Sequence, residues 1–293
     1  MKNVGPWTGR NVVVCGGTSG LGLQLVVAAA QQKANVVIIG RDLARLENAE
    51  KIAMQQGANS ATGYSVNLNM TDPSQTSSIG EGMATLADRA KFQQWLLTNN
   101  VDLLINSIGR SDRGGLEQIS DTDLASLLND NLLCTWNMTR MTLDSLKRAG
   151  GTIVNIGSLA GLVAAPGMGG YSVSKSALTA MSRQLRLELA SVGVHVLLVC
   201  PGPIAREDSG ARYHKLAEKR GLMDQSSTAP GGGVKLRLID PKVLCQKILG
   251  AAHRRKKELV YPVKAAWLAA IADLSPSIAD WILRKYIGTK VRK

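Results

Sequence analysis

The chain has 293 residues, 45% of them hydrophobic, and a formal net charge of +13. That length and apolar content exclude an intrinsically disordered segment and suit one large α/β domain or two small ones. The four cysteines, Cys15, Cys134, Cys200 and Cys245, lie far apart with no C-x-x-C pair, which excludes a disulfide framework and a zinc site; no metal is expected.

The charge is unevenly spread. Residues 206–293 hold 19 Lys and Arg against 8 Asp and Glu, whereas residues 1–205 are nearly balanced. A basic last third suits an anionic surface or ligand. There is no apolar stretch long enough for a signal peptide, and the longest late apolar run, residues 265–272 (AAWLAAIA), is too short to span a bilayer. A cytoplasmic protein is expected, with peripheral membrane contact an open question.

Short β-branched runs alternate with helical patterns along the chain. The runs are residues 11–16, 35–40, 62–68, 101–109, 151–158 and 194–202, with a weaker seventh at 258–262. They are continuously apolar rather than alternating, as strands of a parallel sheet covered on both faces must be. Long helices are expected near 121–148 and 171–192. The pattern predicts an α/β, doubly wound Rossmann fold with about seven parallel strands and helices on both faces. One domain spans 8–263. Within it, residues 205–241 are charged, glycine-rich and irregular, with a short helical piece around 211–220, and read as a substrate loop. Residues 264–293 form a basic extension with an amphipathic helical pair near 264–286.

The first run leads into CGGTSGLG, residues 15–22, which opens a helix. Glycines permit a sharp turn and close approach of a pyrophosphate. The helix N-terminus behind them offers free N–H groups and the positive end of a dipole. Ser19 can add a hydroxyl donor.

A second pattern is YSVSK, which sets Tyr171 and Lys175 one helical turn apart on one face. A phenol needs its pKa, ordinarily near 10, lowered to serve as an acid/base near neutrality, and an ammonium beside it does this. Ser158 closes the fifth run, Asn131 lies in the long helix, INSIG (105–109) ends the fourth run, and PGPI (201–204) ends the sixth.

In this order and spacing, over residues 11–205, the motifs resemble those of the short-chain dehydrogenase/reductase family. The resemblance implies an enzyme that interconverts a carbonyl and a secondary alcohol by hydride transfer. Tyr171 would be its general acid/base and Ser158 the donor to the substrate oxygen. Lys175 would hold the nicotinamide ribose and lower the Tyr171 pKa; Asn131 would hold a water that links Lys175 to solvent. Cofactor contacts are implied for Gly16, Thr18, Ser19, Gly20, Leu21 and Gly22 in the turn. Further along they are implied for Asn67, Leu68, Asn106, Ser107, Gly109, Tyr171, Lys175, Pro201, Gly202 and Ile204. The chain departs from the family pattern at Cys15, Asn67, Ser107, Ile108 and Ala205, which leaves the nicotinamide-amide contact after PGPI without its usual threonine.

The second run ends in Gly40 and Arg41, where a carboxylate would bind the ribose hydroxyls of NAD. Arg41 can instead clamp a 2′-phosphate with its planar fork, so NADP(H) is expected over NAD(H). Gly40 adds space. Asp42 reads as the N-cap of the next helix. Arg110, Asp112 and Arg113 follow the fourth run. They either favour an acidic substrate or pair locally.

The extension carries Trp267, Ile271, Trp281 and Ile282 among basic ends. This fits an interfacial helix on an anionic membrane, packing over the substrate cleft, or a subunit contact. The resemblance also implies a homodimer or homotetramer and a small carbonyl or alcohol substrate, lipid-like or anionic. The alternative is a lapsed relative with a regulatory or structural role, against which the complete Asn131–Ser158–Tyr171–Lys175 set speaks. Nucleic-acid binding is not expected, because the basic residues lack interleaved aromatics on a recognisable module.

Overall fold

The β-branched runs of the sequence pair side by side, each strand turning a helix onto the sheet before the next begins. A computed structural model describes residues 5–69, 82–164, 167–205, 218, 237–275 and 277–281. Seven parallel strands form one sheet: β1 (Asn11–Cys15), β2 (Asn35–Gly40), β3 (Ser60–Ser65), β4 (Leu103–Asn106), β5 (Thr152–Ile156), β6 (His195–Pro201) and β7 (Glu258–Tyr261). Their order is β3-β2-β1-β4-β5-β6-β7. The chain starts in the middle, winds outward to β3, returns beside β1 at β4 and winds outward again. In such a sheet a ligand crevice opens outside the strands' carboxyl ends, where the winding reverses between β1 and β4.

The pleat divides the core in two. Val12, Val14, Val36 and Ile38 face one layer, where they meet α1 (Gly20–Ala30), α2 (Leu43–Gln55) and α7 (Pro241–His253). Val13, Cys15, Val37 and Ile39 face the other, under α3 (Gly82–Thr98), α5 (Cys134–Ala149) and α6 (Gly169–Glu188). The strand residues on both sides are almost wholly buried, which is why the runs are continuously apolar. All four cysteines are buried thiols.

Several boundaries differ from those expected, and three of the differences bear on the site and the extension. β3 starts two residues earlier and ends at Ser65, because Val66 makes one last bond to Gly40 and an Asn67 side chain then accepts from the Asn69 N–H. The chain curls there into the crevice wall. The long helix expected at 121–148 is α4 (Asp121–Leu128) and α5 joined by a π-helical turn, Asn129–Leu133. The extension contains α8 (Lys264–Leu274), which stops at Ser275, one residue before Pro276; residues 277–281 are again helical. Proline has no N–H to continue the ladder. The α8 helix is also less amphipathic than expected, since its outer face is apolar too. The helical piece expected at 211–220 and residues 282–286 fall outside the described residues, apart from helical residue 218.

Candidate active site

The glycine turn joins β1 to α1. Gly16 has φ +80° and Gly20 φ +54°, backbone that a side chain disfavours. A Cβ on Gly22 would collide with the carbonyl oxygen of Gly16, so the first turn of α1 sits directly on the strand end. This leaves the N-terminal N–H groups of α1 facing the crevice, and Ser19 spends no side-chain hydrogen bond on the cap.

At the end of β2, Arg41 is exposed and lines the same crevice. Asp42 caps α2: its carboxylate accepts from the Arg45 N–H at 3.0 Å and meets the Arg45 guanidinium at 3.4 Å. Gly40 does not leave open space. The position its Cβ would take lies 2.6 Å from the Thr18 methyl, so the second strand and the glycine turn pack without a gap.

On the other side of the crevice, Ser158 follows β5 and Tyr171 and Lys175 lie on α6. The Lys175 Nζ donates to the Ile156 carbonyl at 2.9 Å and lies 6.0 Å from the centre of the Tyr171 ring. Ser158 Oγ accepts from the Ala160 N–H at 3.1 Å, which leaves the hydroxyl proton to be donated elsewhere. Asn131 is fully buried in the π-helical turn. Its Oδ1 accepts from the Arg110 N–H at 2.9 Å, and its Nδ2 donates to the Arg110 carbonyl and to Ser174 Oγ. Gly109 has φ +149°, and a Cβ there would strike Asn131 Oδ1 and come within 3.3 Å of Lys175 Nζ. Asn131 and Lys175 thus flank the turn that follows β4.

These parts enclose one cleft of about 1030 Å³ along the carboxyl ends of the strands. Its far end is closed by α8, through Lys264, Ala265, Trp267, Leu268 and Ile271. Ser158, Tyr171 and Lys175, the glycine turn and the PGPI motif all face it.

A family model described as short chain dehydrogenase matches residues 10–215. The chain belongs to the short-chain dehydrogenase family. It is 28% identical over 288 residues to the ketoacyl reductase HetN of Nostoc, covering 94% of this chain and 89% of that protein. It is 28% identical over 272 residues to dehydrogenase/reductase SDR family member 7B of Danio rerio, covering 92% and 80%. Among solved structures, a short-chain dehydrogenase from Burkholderia cenocepacia in complex with NADP superposes with a TM-score of 0.70 at 22% identity, covering 94% of this chain and 98% of that one. A short-chain dehydrogenase from Sphingobium yanoikuyae in complex with NADPH gives 0.68 at 23%, covering 92% and 96%. A 3-oxoacyl reductase from Brucella melitensis with bound NAD gives 0.67 at 20%, covering 88% and 92%. The likeness of these structures extends the shared fold past residue 215.

Seen as a short-chain dehydrogenase, the chain has most of its expected site residues on the cleft wall: Gly16, Thr18, Ser19, Gly20, Leu21, Gly22, Arg41, Asn67, Leu68, Ser107, Gly109, Ser158, Tyr171, Lys175, Pro201, Gly202 and Ile204. Two stand behind it. Asn131 braces the loop after β4, as described. Asn106 is 1% exposed, and its side chain donates to Asn155 Oδ1 at 2.9 Å and to Thr139 Oγ1. Asn155 in turn donates to Ser182 Oγ. This buried ladder ties β4 and β5 to α5 and α6, so the Asn106 side chain is structural rather than part of the wall.

The arginines after β4 pair locally. The Arg110 guanidinium meets Asp130 at 2.6 Å and Ser126 Oγ at 2.8 Å. Arg113 is buried and donates to the Asp112 carbonyl. Asp130 is the acidic partner of Arg110. The substrate loop expected at 205–241 falls, apart from residues 205, 218 and 237–241, outside the described residues.

Two contributors had no motif to announce them. One is Arg45, in the first turn of α2, which lines the cleft beside Arg41; Arg41 precedes the helix, so no helical spacing links the two. The other is α8. Burial pushes the Lys175 pKa down to about 8, with Cys200 opposing. Burial also pushes the Cys134 thiol, which lines the cleft, up to about 11, helped by Asp130 and opposed by Arg41.

Proposed function

We propose that this short-chain dehydrogenase is an NADP(H)-dependent oxidoreductase that interconverts a carbonyl and a secondary alcohol on an apolar substrate. The observation that carries the reading is the grouping of Ser158, Tyr171 and a buried Lys175 on one wall of a cleft whose other end is a phosphate-ready glycine turn. The bare backbone at Gly16 and Gly22 suits close approach of a pyrophosphate, and the α1 N-terminus favours its charge. Arg41 and Arg45, on opposite sides of the Asp42 cap, suit a 2′-phosphate; NAD(H) is the weaker alternative. When bound, the nicotinamide supplies or accepts the hydride.

The rest falls to side chains. Ser158 donates its hydroxyl proton to the substrate oxygen, an electrostatic role aimed at the charge that develops there. Tyr171 passes a proton to that oxygen in reduction and takes it back in oxidation. Lys175, held by the Ile156 carbonyl, keeps a positive charge beside the Tyr171 ring, favours the phenolate and holds the ribose. Asn131 keeps one lone pair of Oδ1 for the water expected to link Lys175 to solvent.

The substrate end of the cleft is lined by Leu159, Val163, Met168, Leu268 and Ile271. With Arg110 already paired to Asp130, this favours an apolar body over an anionic one. A homodimer or homotetramer is part of the same reading, supported by Trp136 on α5 and Val173 and Leu187 on α6, all exposed. The test is a panel of ketones and aldehydes of rising alkyl length, run with NADPH and NADH. Turnover with NADPH that improves with chain length supports the reading; reduction of none of the panel defeats it.

A further inference from the structure

The α8 helix has two different outer surfaces. One lines the cleft. The other holds Val263, Trp267, Ala270 and Leu274, spaced i, i+4, i+7, i+11 and so stacked on one side of the helix. Val263 is 65% exposed, Trp267 73% and Leu274 86%. Ile278 and Trp281, just beyond, are also exposed. A helix that meets water normally turns charged residues outward; this one turns outward an aromatic and branched aliphatics. Contiguous exposed apolar surface of this kind marks a docking site.

We propose that this face docks on a bilayer surface that contains anionic phospholipid. Charge supports this occupant. Exposed Lys264 opens α8, and the sequence after Trp281 carries Arg284, Lys285, Lys290, Arg292 and Lys293 with no acidic residue. Basic residues beside Trp, Leu and Ile are what an interfacial segment on anionic lipid requires. A second copy of the chain would bring the same basic run against itself, which opposes pairing through this face. Spanning is excluded for α8, whose 11 residues are about half the roughly 20 that a bilayer core needs. Among the described residues no helix is long and apolar enough to cross a membrane.

Trp267 belongs both to the outer stripe and to the cleft wall. Docking therefore sets the rim of the cleft at the lipid surface. That consequence rests on reading the cleft as the substrate site; the docking itself does not.

The test is co-sedimentation of the full chain with vesicles of phosphatidylcholine, with and without phosphatidylserine. The expected result is binding to the phosphatidylserine vesicles, weakened about tenfold or more by high salt or by omitting phosphatidylserine. Leu274→Glu with Ile278→Glu is expected to lower binding at least about tenfold with the melting temperature unchanged. Lys290→Gln with Arg292→Gln, which leaves the apolar stripe intact, is expected to weaken binding to the phosphatidylserine vesicles alone. Absence of binding to anionic vesicles, or equal binding by the Leu274/Ile278 variant, overturns the proposal. So does a wild-type dimer that this variant dissociates, since a second copy would then cover the stripe. None of these readouts needs turnover, so they stand apart from the test of the enzymatic reading.

Discussion

Lys175 and Tyr171 sit one turn apart on α6, with the ammonium 6.0 Å from the centre of the phenol ring and anchored 2.9 Å from the Ile156 carbonyl. The lysine is thereby fixed from the sheet side while its charge faces the tyrosine. Helix spacing sets the pair's separation, and the end of β5 sets its direction.

Removal of the Tyr171 hydroxyl tests the proton-transfer role. Tyr171→Phe is expected to lower kcat with NADPH by about 10²–10⁴-fold, with NADPH affinity by fluorescence titration changed little. Turnover within a few-fold of wild type would mean that another group moves the proton.

The two arginines at the α2 end test cofactor choice. Arg41→Ala is expected to lower kcat/KM for NADPH by roughly 10–100-fold, the scale of a lost charge-assisted hydrogen bond of about 1.5–3 kcal/mol. NADH should be affected far less. Arg45→Ala should act in the same direction but more weakly, because its guanidinium is shared with Asp42 at 3.4 Å. Equal losses with both cofactors would point to a structural effect.

Lys175 also carries a stability signature. Its folded pKa is lowered to about 8 from 10.5 by burial. The unfolded chain therefore binds more protons than the folded one between those two values, and stability from this group rises with pH across that window. Below about pH 8 the full penalty is present, up to about 3 kcal/mol at 1.36 kcal/mol per pKa unit. Urea unfolding of the wild type and of Lys175→Met, without cofactor, should show the wild type gaining on the variant from pH 7.5 to pH 10. A constant difference would place the charge elsewhere.

Gly109 tests the brace behind the site. Gly109→Ala must adopt φ +149° and press its Cβ on Asn131 Oδ1 and Lys175 Nζ. A loss of at least about 2 kcal/mol in stability is expected, with kcat reduced as well. Urea midpoints and steady-state rates measure both.

Much of this was legible from the sequence because its causes are local. The glycine turn, the Asp42 cap and the Tyr171–Lys175 spacing each depend on a few consecutive residues, and the buried parallel strands announce themselves by unbroken apolar runs. Side-chain direction behind a motif was not legible. Asn106 looks like a ligand contact in INSIG, but its register partner across β4 and β5 is Asn155, and two amides on the same face of adjacent strands bond each other. The roof was only one of three readings that the extension allowed. Residues 264–271 reach the cleft across 93 to 100 positions of chain from Tyr171, and no spacing rule encodes that contact. Arg45 carried no signal of its own, since Arg41 precedes the extended Asp42 cap and a charged residue on a helix surface ordinarily carries no message.

The π-helical turn at Asn129–Leu133 makes the length of its segment a fixed quantity. It holds one residue more than a regular helix of the same rise would use. Deleting a single residue there would repair the helical ladder and still ruin the site, for each residue advances the helix by about 100°. Asn131 would swing away from Gly109 and Ser174 while α5 kept its place on the sheet. The expected phenotype of such a deletion is a chain that folds but melts at a lower temperature, because the partners of Asn131 are left unpaired, and that does not turn over, so this stretch should accept substitutions far more readily than changes of length.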